Sequence, residues 1–169
     1  MKCSKCKLKS TINTPFGERS YCDRHFLDMI SKRVRKDLRI NQNLDVKQKY
    51  HLKKEKTHEY ALTKYFLDNI FKGYLNYNSK SKKNLILSGS LDETTDEFLH
   101  TFLKNKKTKN LAITPLRTVL QIEMKELCRI LKIKFVARKN NELSEKLEIM
   151  YPGTKFSILR SLDYLNKKK

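Results

Sequence analysis

Four residues near the start of the chain have the types and spacing of a metal site. The stretch "CSKC" supplies Cys3 and Cys6, and "YCDRHF" supplies Cys22 and His25. A thiolate pair in C-x2-C, followed later by a thiolate and an imidazole at the same spacing, can close a tetrahedron around one ion. Four protein ligands leave no open coordination position, so the expected occupant is structural Zn²⁺ rather than a catalytic metal. Unliganded cysteines beside a surface histidine, or a disulfide with a leftover thiol, are the plainer alternatives. The chain shows no apolar leader stretch, which points to a reducing, cytoplasmic setting and favours metal ligation over disulfides. Cys128 is different: it lies beside Met124 and Leu131 in a helical pattern and reads as a small buried hydrophobe. His51, His58 and His100 occur singly and read as surface or packing residues.

The elements that must position these groups come next. The 169 residues suffice for one ordinary domain with a small satellite, and 38% hydrophobic content supports a buried core. No apolar run approaches the ~20 residues that span a bilayer. The charge is lopsided: 38 Lys and Arg against 18 acids leave a net +20, which implies a polyanionic partner, nucleic acid first. Residues 23–40 read as a helix, with Phe26, Ile30, Val34 and Leu38 recurring every fourth position. Lys32, Arg33, Arg35, Lys36 and Arg39 fill its other faces.

A weak strand is expected around Val46–Leu52, and a second helix over 57–75 with Leu62, Phe66, Ile70 and Phe71 inward. A basic loop at 77–83 leads into the strand-like "NLILS". A helix follows, with Phe98, Leu99, Phe102 and Leu103 as its apolar stripe. After a second basic loop at 104–110 and Pro115, a further helix carries Leu120, Met124, Leu127 and Leu131. The pattern then gives a strand at 133–137, a short helix at 142–150, a turn at Pro152-Gly153 and a last helix to about Asn166. Alternating strands and helices predict a small, mainly parallel α/β core.

Taken in order, these segments resemble the tRNA 2-thiolation enzymes (2-thiouridine synthetases) that join an N-terminal zinc finger to an ATP-pyrophosphatase domain. The run "CSKC…GERSYCDRHFLDMISKRVRKDLR" matches that family's C-x2-C…C-x2-H finger followed by a basic helix. "LSGSLDETTDEFLHTFL" resembles its aspartate-pair motif, "ITPLRTVLQIEMKELCRILKIKF" its proline-leucine-arginine segment, and "YPGTKFSILRSLDYL" its closing motif. The resemblance implies a zinc finger at 1–25, a basic linking helix at 26–42 and, over 43–169, a reduced adenine-nucleotide alpha-hydrolase-like (ATP-pyrophosphatase) α/β domain with a parallel sheet.

The departures from that pattern decide the expected function. Family enzymes adenylate a tRNA uridine with a glycine-rich Ser-Gly-Gly-Lys-Asp-Ser loop, whose backbone N–H groups wrap the pyrophosphate. At that place this chain reads "QKYHLKKEKTHEYALTKYFLDNIF", and residues 41–72 hold no glycine. The family's internal cysteines are missing as well: none occurs from 43 to 127, and the later position reads "FVARKNNEL". Only Asp92 and Glu93 match the acidic pair of the aspartate motif. "SGSLDETTDEFL" is therefore expected to be a strand–helix corner, with Thr94 or Thr95 capping the helix.

These readings imply a degenerate, non-catalytic member of the family that binds tRNA or docks to an active homologous subunit, or to a second copy of itself. Structural zinc is expected, with no ATP and no iron–sulfur cluster. The RNA surface is expected at Lys32, Arg33, Arg35, Lys36 and Arg39, with Lys53, Lys54, Lys104, Lys106, Lys107 and Lys109 as a second cluster. Two other functions fit the residues: an active ATP-dependent thiolase whose missing groups come from a divergent loop or a partner, and a zinc-stabilised nucleic-acid adaptor unrelated to thiolation.

Overall fold

A computed structural model describes residues 1–14, 19–77, 84–104, 112–137 and 142–167. It begins with a metal-knuckle hairpin. Strands β1 (Ile12–Asn13) and β2 (Ser20–Tyr21) pair antiparallel, Ile12 opposite Tyr21. Ahead of them the chain doubles back through a Lys2–Lys9 bridge, with the Cys3 N–H bonded to the Leu8 carbonyl at 2.9 Å. Helix α1 (Asp23–Ile40) follows without a break. Its four-residue repeat is realised as expected: Phe26, Ile30, Val34 and Leu38 are almost fully buried. His25 thus sits on the first turn of a helix whose inner face is anchored in the main core, and the metal hairpin is fixed to that core through it.

Strand β3 (His51–Leu52) leads to helix α2 (His58–Phe71), and strand β4 (Leu85–Ile86) to helix α3 (Leu91–Leu103). β3 and β4 are parallel, with His51 opposite Leu85. Alternate N–H groups of the first of these strands face opposite ways. Tyr50 and Leu52 donate to Asn76 and Tyr77, while His51 and Lys53 donate to Asn84 and Ile86. Ile113 continues the pairing beyond β4 through the Leu87 N–H and the Leu85 carbonyl. The short parallel core therefore runs in the order 76–77, 50–53, 84–87, 113.

Three helices close the chain: α4 (Gln121–Leu131), α5 (Glu142–Met150) and α6 (Thr154–Lys167). α1, α2 and α4 pack around Leu62, Phe66, Met124 and Leu127, while Leu91, Leu120, Leu159 and Leu162 form a second, smaller cluster joining α3 to α6.

Several expectations are corrected by packing. The strand around Val46–Leu52 shrinks to two residues, and helix α2 ends at Phe71 because Lys72 turns into the left-handed region (φ 48) with Gly73 (φ 84) behind it. The strand at 133–137 has no ladder partner among the described residues. After the left-handed Lys132 (φ 56) the Ile133 N–H bonds back to the Cys128 carbonyl, which closes the end of α4. Ile133 and Phe135 pack against the core there, and Val136 is exposed. Finally, α3 meets α6 through Leu91 and Phe98, so the far end of the predicted stripe is bare: Phe102 is 62% and Leu103 65% exposed.

Candidate metal centre and the basic surface around it

The hairpin and the first turn of α1 bring the four predicted ligands together. The sulfurs of Cys3, Cys6 and Cys22 and a ring nitrogen of His25 all lie within 4.8 Å of one another. Cys22 Sγ is 3.3 Å from His25 Nδ1 and 3.9 Å from Cys6 Sγ, and Cys3 Sγ is 3.5 Å from His25 Nδ1. Such separations are edges of a tetrahedron around one ion with ligand bonds of about 2.0–2.3 Å. The Lys5 N–H points at Cys3 Sγ (3.4 Å), as expected for a knuckle that carries negative charge on sulfur. Burial pushes the Cys3 thiol up, but backbone N–H groups from Cys22, Lys5 and Cys6 more than offset it and hold its pKa at about 6. Cys6 moves the other way: the Leu8 N–H lowers it, and burial with the neighbouring cysteines outweighs that. Cys3 is therefore the more acidic of these two thiols and Cys6 the less.

The hairpin is tied to the rest of the protein at Asp23. Its Oδ1 accepts from Thr11 Oγ1 (2.6 Å) and from Arg129 Nη2 on α4 (2.8 Å). Hydrogen bonding from Arg129 and then Thr11 holds this carboxyl below its usual range.

The corner beyond the parallel strands is filled by the chain's own side chains. Loops 53–57 and 87–90 leave the carboxyl ends of β3 and β4 on the same side, the place where parallel sheets put ligands. Here Ser88 Oγ donates to Glu55 Oε2 at 3.3 Å, and Glu55 also pairs with Lys53 (2.9 Å). Thr57 caps α2 by accepting the Tyr60 N–H. Ser90 caps α3 by accepting the Glu93 N–H, while the Glu93 carboxylate returns to the Ser90 N–H at 3.0 Å. The cap is Ser90, not Thr94 or Thr95, whose hydroxyls bond back to the Ser90, Leu91 and Asp92 carbonyls. Gly89 stays glycine for a packing reason: a Cβ would stand 3.2 Å from the folded-back Glu93 carboxylate and 3.3 Å from the Thr114 methyl.

The remaining motif residues hold elements together. Asp92 is buried, taking Lys155 Nζ at 2.6 Å on one oxygen and the Gln121 N–H at 2.7 Å on the other. Lys155 also pairs with Glu145. Arg117, 4% exposed, forks onto both oxygens of Asp37 at 2.9 Å and reaches Asp163 at 2.7 Å, joining α1 to α6. Sequence reading missed both networks, although Arg117, Lys155 and Asp92 all fall inside quoted motifs. Cys128 is buried as expected, its thiol pushed up to about 11 by burial and by the Glu59 charge. His58 is a packing residue against Phe135 (4.6 Å between rings), His51 is half-buried and His100 exposed.

Of the basic residues, Lys32, Arg35, Lys36 and Arg39 are exposed along α1, with Lys32 paired to Asp28. Arg33 is half-buried and bonded to Glu123 at 2.6 Å. Lys53, Lys54 and Lys104 are exposed; Lys106, Lys107 and Lys109 lie outside the described residues.

No protein-family model and no curated protein matches the chain. Among solved structures it is similar to the U34-tRNA thiolase NcsA from Methanococcus maripaludis with its 4Fe–4S cluster. The match has a TM-score of 0.76 at 16% identity and covers 98% of this chain and 87% of that one. The two chains share one fold. The expectation of zinc and no iron–sulfur cluster is thereby corrected. The similar thiolase carries a 4Fe–4S cluster, and the Cys3, Cys6, Cys22 and His25 set could hold iron–sulfur as well as zinc. Tetrahedral sulfur-and-nitrogen donors suit both, so spacing alone does not select the metal. No described helix is long and apolar enough to cross a membrane.

Proposed function

We propose that this protein is a non-catalytic tRNA-binding or partner subunit in tRNA wobble-uridine 2-thiolation. The observation that carries this reading is the corner beyond β3 and β4 in a thiolase fold. Its helix N-termini are capped by the chain's own Thr57, Ser90 and Glu93, and Glu55 with Ser88 bridges the two loops. The Tyr60, Ser90, Leu91 and Glu93 N–H groups at these helix starts are engaged within the chain, and no glycine between 41 and 72 lets backbone approach a pyrophosphate. What persists is the charge for a polyanion: net +20, with Arg35, Lys36 and Arg39 along an exposed helix face. The metal centre holds the hairpin in place; Cys3, Cys6, Cys22 and His25 bind the ion or cluster, whose contribution is structural cross-linking. The partner is tRNA, shared with an active homologous subunit or with a second copy of this chain.

The test is to purify the metal-loaded chain from its native cell and identify the bound RNA and any co-purifying protein. Recovery of tRNA, with loss of wobble thiolation on deletion, is expected. Recovery of ribosomal components with thiolation unchanged would favour a nucleic-acid adaptor of another pathway.

A further inference from the structure

An open cleft of about 440 Å³ lies between the metal hairpin, α1 and the start of α6, and none of its lining residues belongs to the closed corner beyond β3 and β4. Its lining joins three arginines from elements far apart in sequence: Arg19 behind the hairpin turn, Arg33 on α1 and Arg160 on α6. Arg19 and Arg160 are exposed and make no ion pair among the described residues. Arg33 Nε is buried with no hydrogen-bond partner, although Nη2 of the same fork is bonded to Glu123. Glu123 is the one acid in the lining, and both its oxygens are engaged: Oε1 by Arg33, Oε2 by the Leu120 N–H at 3.0 Å. The floor is apolar, with Met29, Tyr21, Pro152 and Phe156, and the Arg33 guanidinium lies 5.7 Å from the Phe156 ring centre.

We propose that this cleft binds one nucleotide of single-stranded RNA, its phosphate against Arg19 and Arg160 and its base on the apolar floor. The inference rests on the tRNA-binding reading above and adds to it a place where an unpaired nucleotide is held. A cleft of this size is in the range that encloses a small ligand. Arginine forks match phosphate geometry better than point charges do. Unpaired nucleotides are the part of an RNA whose base can leave the stack and enter a pocket. Because the cleft is built jointly by the metal hairpin and α6, its shape depends on the metal being in place.

The experiment measures binding of the metal-loaded full chain to a labelled oligouridine, to a duplex RNA of equal length and to whole tRNA, across a salt series. Arg19→Gln and Arg160→Gln are exposed changes; Ser157→Trp fills the cleft from its exposed rim. Lys64→Gln, exposed on α2 and outside the cleft lining, is the control. We expect roughly 3- to 10-fold weaker oligouridine binding for each arginine change, a salt slope lower by about 0.7 per lost phosphate contact, and near-complete loss with Ser157→Trp. Uridine monophosphate should compete and inorganic phosphate should not. Wild-type affinity for oligouridine in all three variants, with native thermal melting, would overturn the proposal, as would a preference for free mononucleotide over RNA. If wild type binds no tRNA at all, the function reading fails; if it binds tRNA and the three variants do so equally, only the cleft proposal fails.

Discussion

Arg117 shows at the residue scale how one buried charge can join distant elements. Burial lowers the pKa of its guanidinium, but Asp37 and then Asp163 more than reverse this, so it stays charged in the interior. Removing it by Arg117→Met strands the buried Asp37 and the half-buried Asp163 carboxylates and should destabilise the fold by about 3–5 kcal/mol. Arg117→Lys should recover only part of that, since an ammonium cannot match the fork on Asp37. Chemical denaturation of the three proteins checks the order. Lys155 offers a pH test. Burial lowers its pKa, and Asp92 with Glu145 raise it by more, to a net value above that of the unfolded chain. A raised folded pKa means the stabilisation is fully present below the unfolded pKa, near 10.4, and is lost as pH climbs through the folded value. Wild type should therefore hold its advantage over Lys155→Met from neutral pH to about 10 and lose it above, as read by denaturant midpoints.

At the scale of elements, the metal hairpin and α1 form one mechanical unit, because His25 lies on the helix and Asp23 ties hairpin to α4. Two-residue strands cannot hold 22 residues in place alone. Chelation should loosen residues 1–22, which proteolysis would detect as new cleavage there, while α2 and α4 stay protected. Parallel zinc, iron and acid-labile sulfide assays on the native protein will identify the bound group. These elements also mark how far sequence reading reaches. α1 and α5 were legible to the residue, since period and boundary agree in "DRHFLDMISKRVRKDLRI" and "ELSEKLEIM". The ligand set was legible because its spacing is local. What escaped depends on distant partners. Ile133–Ala137 has strand-forming residues yet packs against the core without a ladder partner among the described residues, and nothing near Arg117 signals Asp163 46 positions away. The donor chemistry of the metal site likewise could not choose its occupant.

Over the whole molecule the excess positive charge sets the behaviour toward RNA. Binding of tRNA should weaken steeply as salt rises, and replacing Arg35 and Arg39 by Gln should flatten that dependence by about one unit each if both meet phosphates. The fold is similar to that of the solved thiolase over nearly its full length, while the loops at the ends of β3 and β4 hydrogen-bond to each other and to their own helices. The most direct measurement is tRNA-dependent release of pyrophosphate from ATP by the metal-loaded chain alone, run beside a tRNA-binding assay on the same sample. Salt-sensitive tRNA binding with no release above background is the predicted result. Sustained, tRNA-stimulated release by the isolated chain would show that the corner between β3 and β4 opens to ATP, and would contradict a non-catalytic role.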